Sequence, residues 1–252
     1  MRTLLRQLMR LLGLLLVGTV ALQLYFLARV ALMAHLDPGS TTFQRTQAVR
    51  ILQRDQHLLW HQTWMPLNEM GTALPRAVIA SEDASFVEHR GLEWEAIEKA
   101  RQRNERREAR PPVAAPQAGN GRAAERLVGG STITQQLAKN LFLSGERTYW
   151  RKGQEALVAW AMEATLSKAR ILEIYLNSVE WGEGVYGAHA AAEHYFRCAP
   201  HQLQALQAAR LAVMLPAPRR FERLPNSPYL ASRAETIAAR MPAVVLPEGI
   251  RP

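Results

Sequence analysis

Apolar and polar positions separate an N-terminal apolar run from the rest of the chain. No residue from Leu11 to Ala28 is charged, and a helix of that length is about 27 Å long, close to the thickness of a hydrocarbon core. Arg29 interrupts the run, but Val30 to Ala34 continue it, and a long arginine near a helix end can reach the membrane interface. The pattern predicts a transmembrane anchor within residues 1–36.

Charges around the apolar run predict its orientation. Arg2, Arg6 and Arg10 precede it, so the positive-inside rule places the N-terminus in the cytoplasm and everything after His35 outside. The alternative is a cleaved signal peptide. A long apolar run without an obvious small-residue cleavage site before Asp37 fits that alternative poorly.

The remaining chain is predicted to form a polar connector, residues 37–72, and one domain, residues 73–245. From Ser131 to Ala212 the apolar residues recur mostly at helical spacing and few alternate with period two, which predicts a mainly α fold. Within this domain, residues 101–126 change abruptly to Arg/Glu-rich and then Pro/Ala/Gly-rich sequence. That composition is typical of a mobile, basic loop.

Composition narrows the function classes. The formal net charge of +9 indicates an anionic partner, which by charge alone can be nucleic acid, an anionic bilayer or a phosphorylated substrate. Most of the basic residues are arginines, and few are lysines. Cys198 is the only cysteine, which excludes an intramolecular disulfide and a thiolate metal cluster.

The segment Ser81–His89 contains the first candidate catalytic group. Glu82 and Asp83 end an apolar run, and helical spacing predicts that Glu82, Phe86 and His89 lie near one face. A glutamate beside apolar groups can act as a general base near neutral pH. The alternative interpretation is a solvated acidic turn that caps the following segment.

The segment Gly129–Asn140 has two glycines before a helix whose predicted N-cap is Ser131. On that helix Thr132, Gln136 and Lys139 share a polar face, which suits a phosphate or a sugar near a helix N-terminus. An ordinary amphipathic surface helix is the alternative, but it does not account for this concentration of Thr, Gln and Asn side chains.

The segment Arg147–Glu155 contains a second carboxylate. Glu155 opens a nearly uncharged helical stretch, and a buried carboxylate needs a partner. Arg151 and Lys152, four and three residues earlier, are placed to supply one. Either the group is an ion pair that orients the helix, or it is a second site carboxylate flanked by phosphate-binding cations.

Taken in order, these segments resemble the peptidoglycan glycosyltransferases, specifically the monofunctional biosynthetic type of Gram-negative bacteria. The resemblance covers about residues 45 to 240. It rests on Glu82-Asp83 with Phe86, His89 and Gly91; Gly129 through Leu143; Arg151-Lys152 with Glu155; Lys168 with Ile171 through Asn177, Gly182, Gly184 and Gly187; and Ala209 through Pro216.

The resemblance implies a lysozyme-like helical domain behind the anchor, facing the periplasm from the inner membrane. It implies inverting glycosyl transfer that polymerises lipid II and releases undecaprenyl pyrophosphate, without transpeptidase activity. Glu82 would be the general base, and Glu155 would organise the cations or a divalent metal, Mg²⁺ or Mn²⁺. The implied substrate-binding residues are Asp83, Phe86, His89, Thr132, Gln136, Lys139, Asn140, Arg147, Arg151 and Lys152.

The implied partners are lipid II, the growing glycan strand, the phospholipid membrane and proteins of cell division or cell-wall synthesis, with no nucleic acid. Departures from the family pattern include Leu92-Glu93 in place of the usual Phe-Asp, which leaves any role for Glu93 open. A lysozyme-like hydrolase remains an alternative, but the cations argue against it because sugar hydrolysis expels no pyrophosphate. A catalytically dead membrane scaffold is a further alternative.

Overall fold

The computed structural model describes residues 2–95, 98, 102, 105, 130–143 and 148–250. The predicted loop, residues 101–126, falls outside the described residues apart from Gln102 and Glu105, and so do Gly129 and Arg147. The helices are α1 Arg2–Leu32, α2 Thr42–Asp55, α3 Ala73–Glu82, α4 Ile133–Phe142, α5 Tyr149–Thr165, α6 Lys168–Ser178, α7 Gly187–Phe196, α8 Ala205–Met214, α9 Pro218–Arg223 and α10 Pro228–Arg240.

The prediction of a mainly helical fold behind one long apolar helix is confirmed. Helix α3 packs against α8 and α10, while α4 packs against α5 and α6. The largest fully buried side chains include Trp181, Tyr175, Tyr186 and Phe86. Burial of large aromatic side chains contributes much of the stability of such a core.

A small sheet of three strands, β1 His61–Gln62, β2 Glu180–Gly182 and β3 Val185–Tyr186, lies beside the helices. The strand order is β1-β3-β2, with β1 parallel and β2 antiparallel to β3. Gly184 joins β2 and β3 with φ +73, and a Cβ there would lie 2.7 Å from the Leu59 carbonyl oxygen. Only glycine fits this turn without strain.

Residues 37–72, expected to be a polar connector, contain the 14-residue helix α2. Thr41 caps this helix in a capping box with Gln44. The Gln44 amide also donates to the Ser178 carbonyl at 3.0 Å, and the Thr42 hydroxyl donates to the Leu141 carbonyl at 2.8 Å. These contacts join α2 to α4 and to the end of α6.

Helix α1 has the length and apolar composition needed to cross a membrane over Thr3–Leu32. Most of its side chains do not pack against the protein, among them Leu14, Leu16 and Val17. Leaving so many large apolar side chains in water is costly, so the helix is suited to a lipid environment.

Candidate active site

Glu82 is the last residue of α3. The earlier turns of this helix pack into the core through the buried side chains of Leu74, Val78 and Ile79. This burial fixes the helix and therefore the place where the carboxylate emerges. The Gln136 Nε2 group donates to Glu82 Oε2 at 3.0 Å, and the Ser81 hydroxyl lies 3.3 Å from Oε1. Glu82 is half-buried, which is compatible with contact to a substrate.

A buried tyrosine orients the amide that holds Glu82. The Tyr175 hydroxyl donates to Gln136 Oε1 at 2.9 Å, so the Gln136 NH₂ group is the end that faces Glu82. Burial raises the pKa of the Tyr175 phenol well above its usual range, and the Glu82 and Asp83 charges act in the same direction. The phenol therefore keeps its proton and remains a donor.

Asp83 and His89 form a structural hydrogen-bond group beside Glu82. Asp83 Oδ2 accepts from the Ile133 backbone N–H at 2.9 Å, at the start of α4, and Asp83 Oδ1 lies 2.9 Å from His89 Nε2. The prediction that Glu82, Phe86 and His89 share one helical face is wrong, because α3 ends at Glu82 and the chain then turns.

Phe86 and Thr132 lie in the interior of the protein. Phe86 is fully buried, with the Lys168 ammonium 4.6 Å from its ring centroid. Thr132 is the N-cap of α4, so the prediction of Ser131 as N-cap is wrong by one residue. The Thr132 hydroxyl donates to the Gly91 carbonyl at 2.6 Å. Both side chains are therefore part of the packed interior.

The second carboxylate, Glu155, is 2 % exposed on the second turn of α5. Its Oε2 atom lies 2.7 Å from Arg151 Nη1, and its Oε1 atom pairs with Lys152 Nζ. Lys152 Nζ also donates to Ser131 Oγ at 3.0 Å, which joins α5 to the start of α4. The prediction of an ion pair at these spacings is confirmed.

A cleft of about 440 Å³ opens beside Gln136. Its lining includes Gln136, Lys139 and Asn140 from α4, Tyr175 from α6, and Glu180 and Arg219. Gln136 both lines the cleft and bonds Glu82, so the carboxylate is one hydrogen bond away from the cleft lining. A polar, partly cationic cleft next to a half-buried carboxylate can bind a sugar phosphate and remove a proton from it.

Comparison with known proteins decides the family. The transglycosylase family model matches residues 50–242. The chain is 49% identical over 229 residues to the biosynthetic peptidoglycan transglycosylase of Burkholderia thailandensis, covering 90% of this chain and 83% of that protein. The chain belongs to the biosynthetic peptidoglycan transglycosylases. It is 48% identical over 225 residues to the Bordetella pertussis protein, with 89% and 88% covered.

Family membership makes this chain a peptidoglycan glycosyltransferase that polymerises glycan strands. The chain is also 46% identical over 233 residues to the biosynthetic peptidoglycan transglycosylase of Paraburkholderia xenovorans. This alignment covers 92% of this chain and 90% of that protein. The similarity therefore extends beyond the catalytic domain into α1. The family matches the resemblance that the ordered motifs predict.

Within the part of the chain that the structure describes, the two candidate metal positions do not fit a divalent ion, because most of their ligand atoms already bond protein groups. Both Glu155 oxygens are paired with cations, which would repel a further positive charge. Asp83, His89 and Glu93 bring their ligand atoms within 4.8 Å of one another. However, the Gly91 N–H donates to His89 Nδ1 at 3.1 Å, His89 Nε2 lies 2.9 Å from Asp83 Oδ1, and Asp83 Oδ2 accepts from the backbone N–H at the start of α4, so both His89 nitrogens and both Asp83 oxygens already have protein partners.

Sequence reasoning missed Tyr175, Glu180 and Arg219 as residues of the site. Arg219 Nη2 lies 2.6 Å from Glu180 Oε1 and also donates to the Gln47 amide at 2.7 Å. Burial raises the pKa of the Glu180 carboxyl, against the opposing effect of Arg219. Arg219 thus offsets the negative charge of Glu180 in the lining of the cleft. In the sequence, Pro216 and Pro218 beside Arg219 indicated only a break in the helical pattern, so Arg219 was not identified as a site residue.

Replacing Tyr175 with phenylalanine should lower kcat about three- to tenfold, because the Gln136 amide loses the donor that sets its orientation. Turnover of labelled precursor by the folded variant measures this effect. Tyr229→Phe is the matched control, since Tyr229 is 62% exposed on α10. Equal turnover by Tyr175→Phe and the wild type would show that the hydroxyl has no part in orienting Gln136.

Proposed function

We propose that this glycosyltransferase polymerises lipid II by a one-step inverting displacement that releases undecaprenyl pyrophosphate. The observation that supports this best is that one side chain, Gln136, joins Glu82 to the cleft that also contains Lys139. A base close to a cationic cleft is what the reaction needs. The growing strand is the donor and a new lipid II molecule is the acceptor.

Glu82 is the proposed general base. It removes the proton from the acceptor 4-hydroxyl while that oxygen attacks the anomeric carbon of the donor, and the bond to the pyrophosphate breaks in the same step. Attack from the face opposite the leaving group inverts the anomeric centre. The Gln136 amide holds Glu82 Oε2 in place, which fixes the direction from which the carboxylate meets the acceptor hydroxyl.

The leaving pyrophosphate is stabilised by the chain's own cations. Lys139, which lines the cleft, and Arg151 and Lys152, which pair with Glu155, are the described candidates, and the family resemblance adds Arg147. Preorganised cations stabilise negative charge as it develops on the leaving group. Glu155 acts by orienting Arg151 and Lys152, and the reaction as written needs no metal ion.

The membrane is a further proposed partner. On α5, Tyr149 is 98%, Trp150 91%, Trp160 63% and Leu157 56% exposed. Amphipathic aromatic side chains favour the membrane interface, so this face of α5 would lie against the outer leaflet of the inner membrane. With Arg2, Arg6 and Arg10 in the cytoplasm, the catalytic domain is periplasmic, close to a lipid-linked substrate.

Other aspects of the proposal rest on the sequence. The chain has no Ser-x-x-Lys or Lys-Thr-Gly motif, which supports a purely polymerising enzyme without transpeptidase activity. Proteins of cell division or cell-wall synthesis are the proposed protein partners. The positive charge is then used for phosphate and lipid headgroups, with no role for nucleic acid.

Lys139→Ala should lower kcat/KM about tenfold, because a charge-assisted contact to the pyrophosphate is lost. The measurement is the initial rate of polymerisation as a function of lipid II concentration. Arg240→Ala, at the exposed C-terminal end of α10, controls for the loss of one exposed positive charge. Equal losses in the two variants would indicate nonspecific attraction to lipid instead of a contact in the cleft.

The proposed function is tested with purified full-length protein and labelled lipid II in proteoliposomes. We expect a polymer that a muramidase digests to disaccharide units and whose formation moenomycin inhibits. A protein that leaves labelled lipid II unchanged under conditions where a known polymerase consumes it would contradict the proposal.

A further inference from the structure

The membrane-proximal end of α1 is built into the catalytic domain. Phe26, Val30 and Met33 are 8%, 0% and 3% exposed, and Gln23 is half-buried. These positions, spaced by three, four and three residues, form one face of the helix. The anchor is therefore a packed element of the domain over its last three turns, and not only a tether.

A reciprocal amide pair joins this face to α5. Gln23 Nε2 donates to Gln154 Oε1 at 2.8 Å, and Gln154 Nε2 donates to Gln23 Oε1 at 3.0 Å. Gln23 lies within the uncharged run that is suited to the bilayer. An amide that lacks a hydrogen-bond partner in hydrocarbon raises the free energy, so we expect the two side chains to stay paired there.

Three further contacts join α1 and the residues just after it to the domain. The Phe26 ring packs on the edge of Phe142, at the end of α4, with the ring centroids 5.3 Å apart. Beyond the helix end, Arg170 donates to the Met33 carbonyl at 2.8 Å and to the Leu36 carbonyl at 3.1 Å. The anchor thus contacts α4 and α5, two of the helices that contribute residues to the candidate active site.

The residue after Gln154 is Glu155, the buried carboxylate that holds Arg151 and Lys152. Because neighbouring residues of a helix are rigidly related, any rotation or shift of α5 that breaks the amide pair also moves Glu155. It would then move Lys152 away from Ser131, to which Lys152 donates at 3.0 Å. A displacement of about 1 Å in such groups can cost about a hundredfold in rate.

We propose that Gln23 is a positioning residue for glycosyl transfer, acting from within the membrane anchor. Its pairing with Gln154 holds α5 in the register that presents Arg151 and Lys152 to the leaving pyrophosphate. This inference rests on the proposed function of those cations. It makes the anchor part of the catalytic apparatus, beyond its role in attaching the enzyme to the membrane.

The test compares Gln23→Leu with the wild type as full chains in proteoliposomes. Leucine is similar in size to glutamine and favours a lipid environment, so the helix should still insert into the membrane. We expect kcat to fall about three- to tenfold with KM for lipid II unchanged, and the midpoint of thermal unfolding to stay well above the assay temperature although Gln154 loses its partner. Gln7→Leu is the matched control, since Gln7 is an exposed glutamine on the same helix, and it should retain wild-type kcat.

A double-mutant cycle with Gln154→Leu separates positioning from general loosening. If the pair acts as a unit, Gln23→Leu/Gln154→Leu should lose no more activity than the worse single variant. Additive losses, an unchanged kcat in Gln23→Leu, or a lowered unfolding midpoint that accounts for the loss would each overturn the inference and leave the proposed function intact. A wild-type protein that makes no polymer would overturn both.

Discussion

Replacing Glu82 with glutamine should abolish polymerisation while leaving the fold intact. The amide has nearly the shape of the carboxylate, but it cannot accept the proton of the acceptor hydroxyl. Loss of a general base typically costs about a hundredfold to ten-thousandfold in rate. Glu82 is half-buried at the end of α3, and its contacts with Gln136 and Ser81 are hydrogen bonds, so the variant should fold.

The measurement is the single-turnover rate of lipid II consumption, with circular dichroism as the check on folding. Glu88→Gln is the matched control because Glu88 is an exposed carboxylate in the same segment, and it should keep its activity. Near-wild-type turnover by a well-folded Glu82→Gln variant would remove Glu82 from the mechanism.

Replacing Glu155 with glutamine should reduce kcat by about a hundredfold. The carboxylate is 2 % exposed and bonds both Arg151 and Lys152, so the amide leaves two cations without the charge that orients them. Misplaced catalytic groups cost about this much in rate. The free energy of unfolding should fall by only about 1–3 kcal/mol, because both cations retain some access to water.

Rate and stability are measured on the same preparations, so that a folded but slow enzyme can be recognised. Glu235→Gln, an exposed glutamate on α10, is the control and should change neither quantity. If Glu155→Gln unfolds the domain but the folded fraction turns over normally, Glu155 is only a structural ion-pair partner.

The helices could be predicted from the sequence because burial imposes a regular pattern on them. The apolar spacing around Leu137 and Leu141 predicted α4, and the uncharged stretch after Glu155 predicted α5. The end of α3 could not be predicted in this way. Apolar spacing continues through Phe86, yet the helix stops at Glu82, and Asp83 instead binds the backbone of α4 at Ile133.

Parts of the site that depend on local spacing were predicted, and parts that depend on distant contacts were not. The pairing of Glu155 with residues three and four positions earlier follows from helix geometry. The Tyr175 contact to Gln136 joins residues 39 positions apart, and the Gln136 contact to Glu82 joins residues 54 positions apart. No periodicity encodes such contacts, because the tertiary packing of α3, α4 and α6 creates them.

The most direct test of the central claim counts the products of one reaction. Purified full-length protein receives lipid II labelled in both the sugar and the lipid, and the glycosidic bonds formed and the polyprenyl pyrophosphate released are quantified together. The account predicts one pyrophosphate for each new bond and β linkages throughout the product. Cleavage of preformed glycan without release of pyrophosphate would contradict it and would identify a lysozyme-like hydrolase.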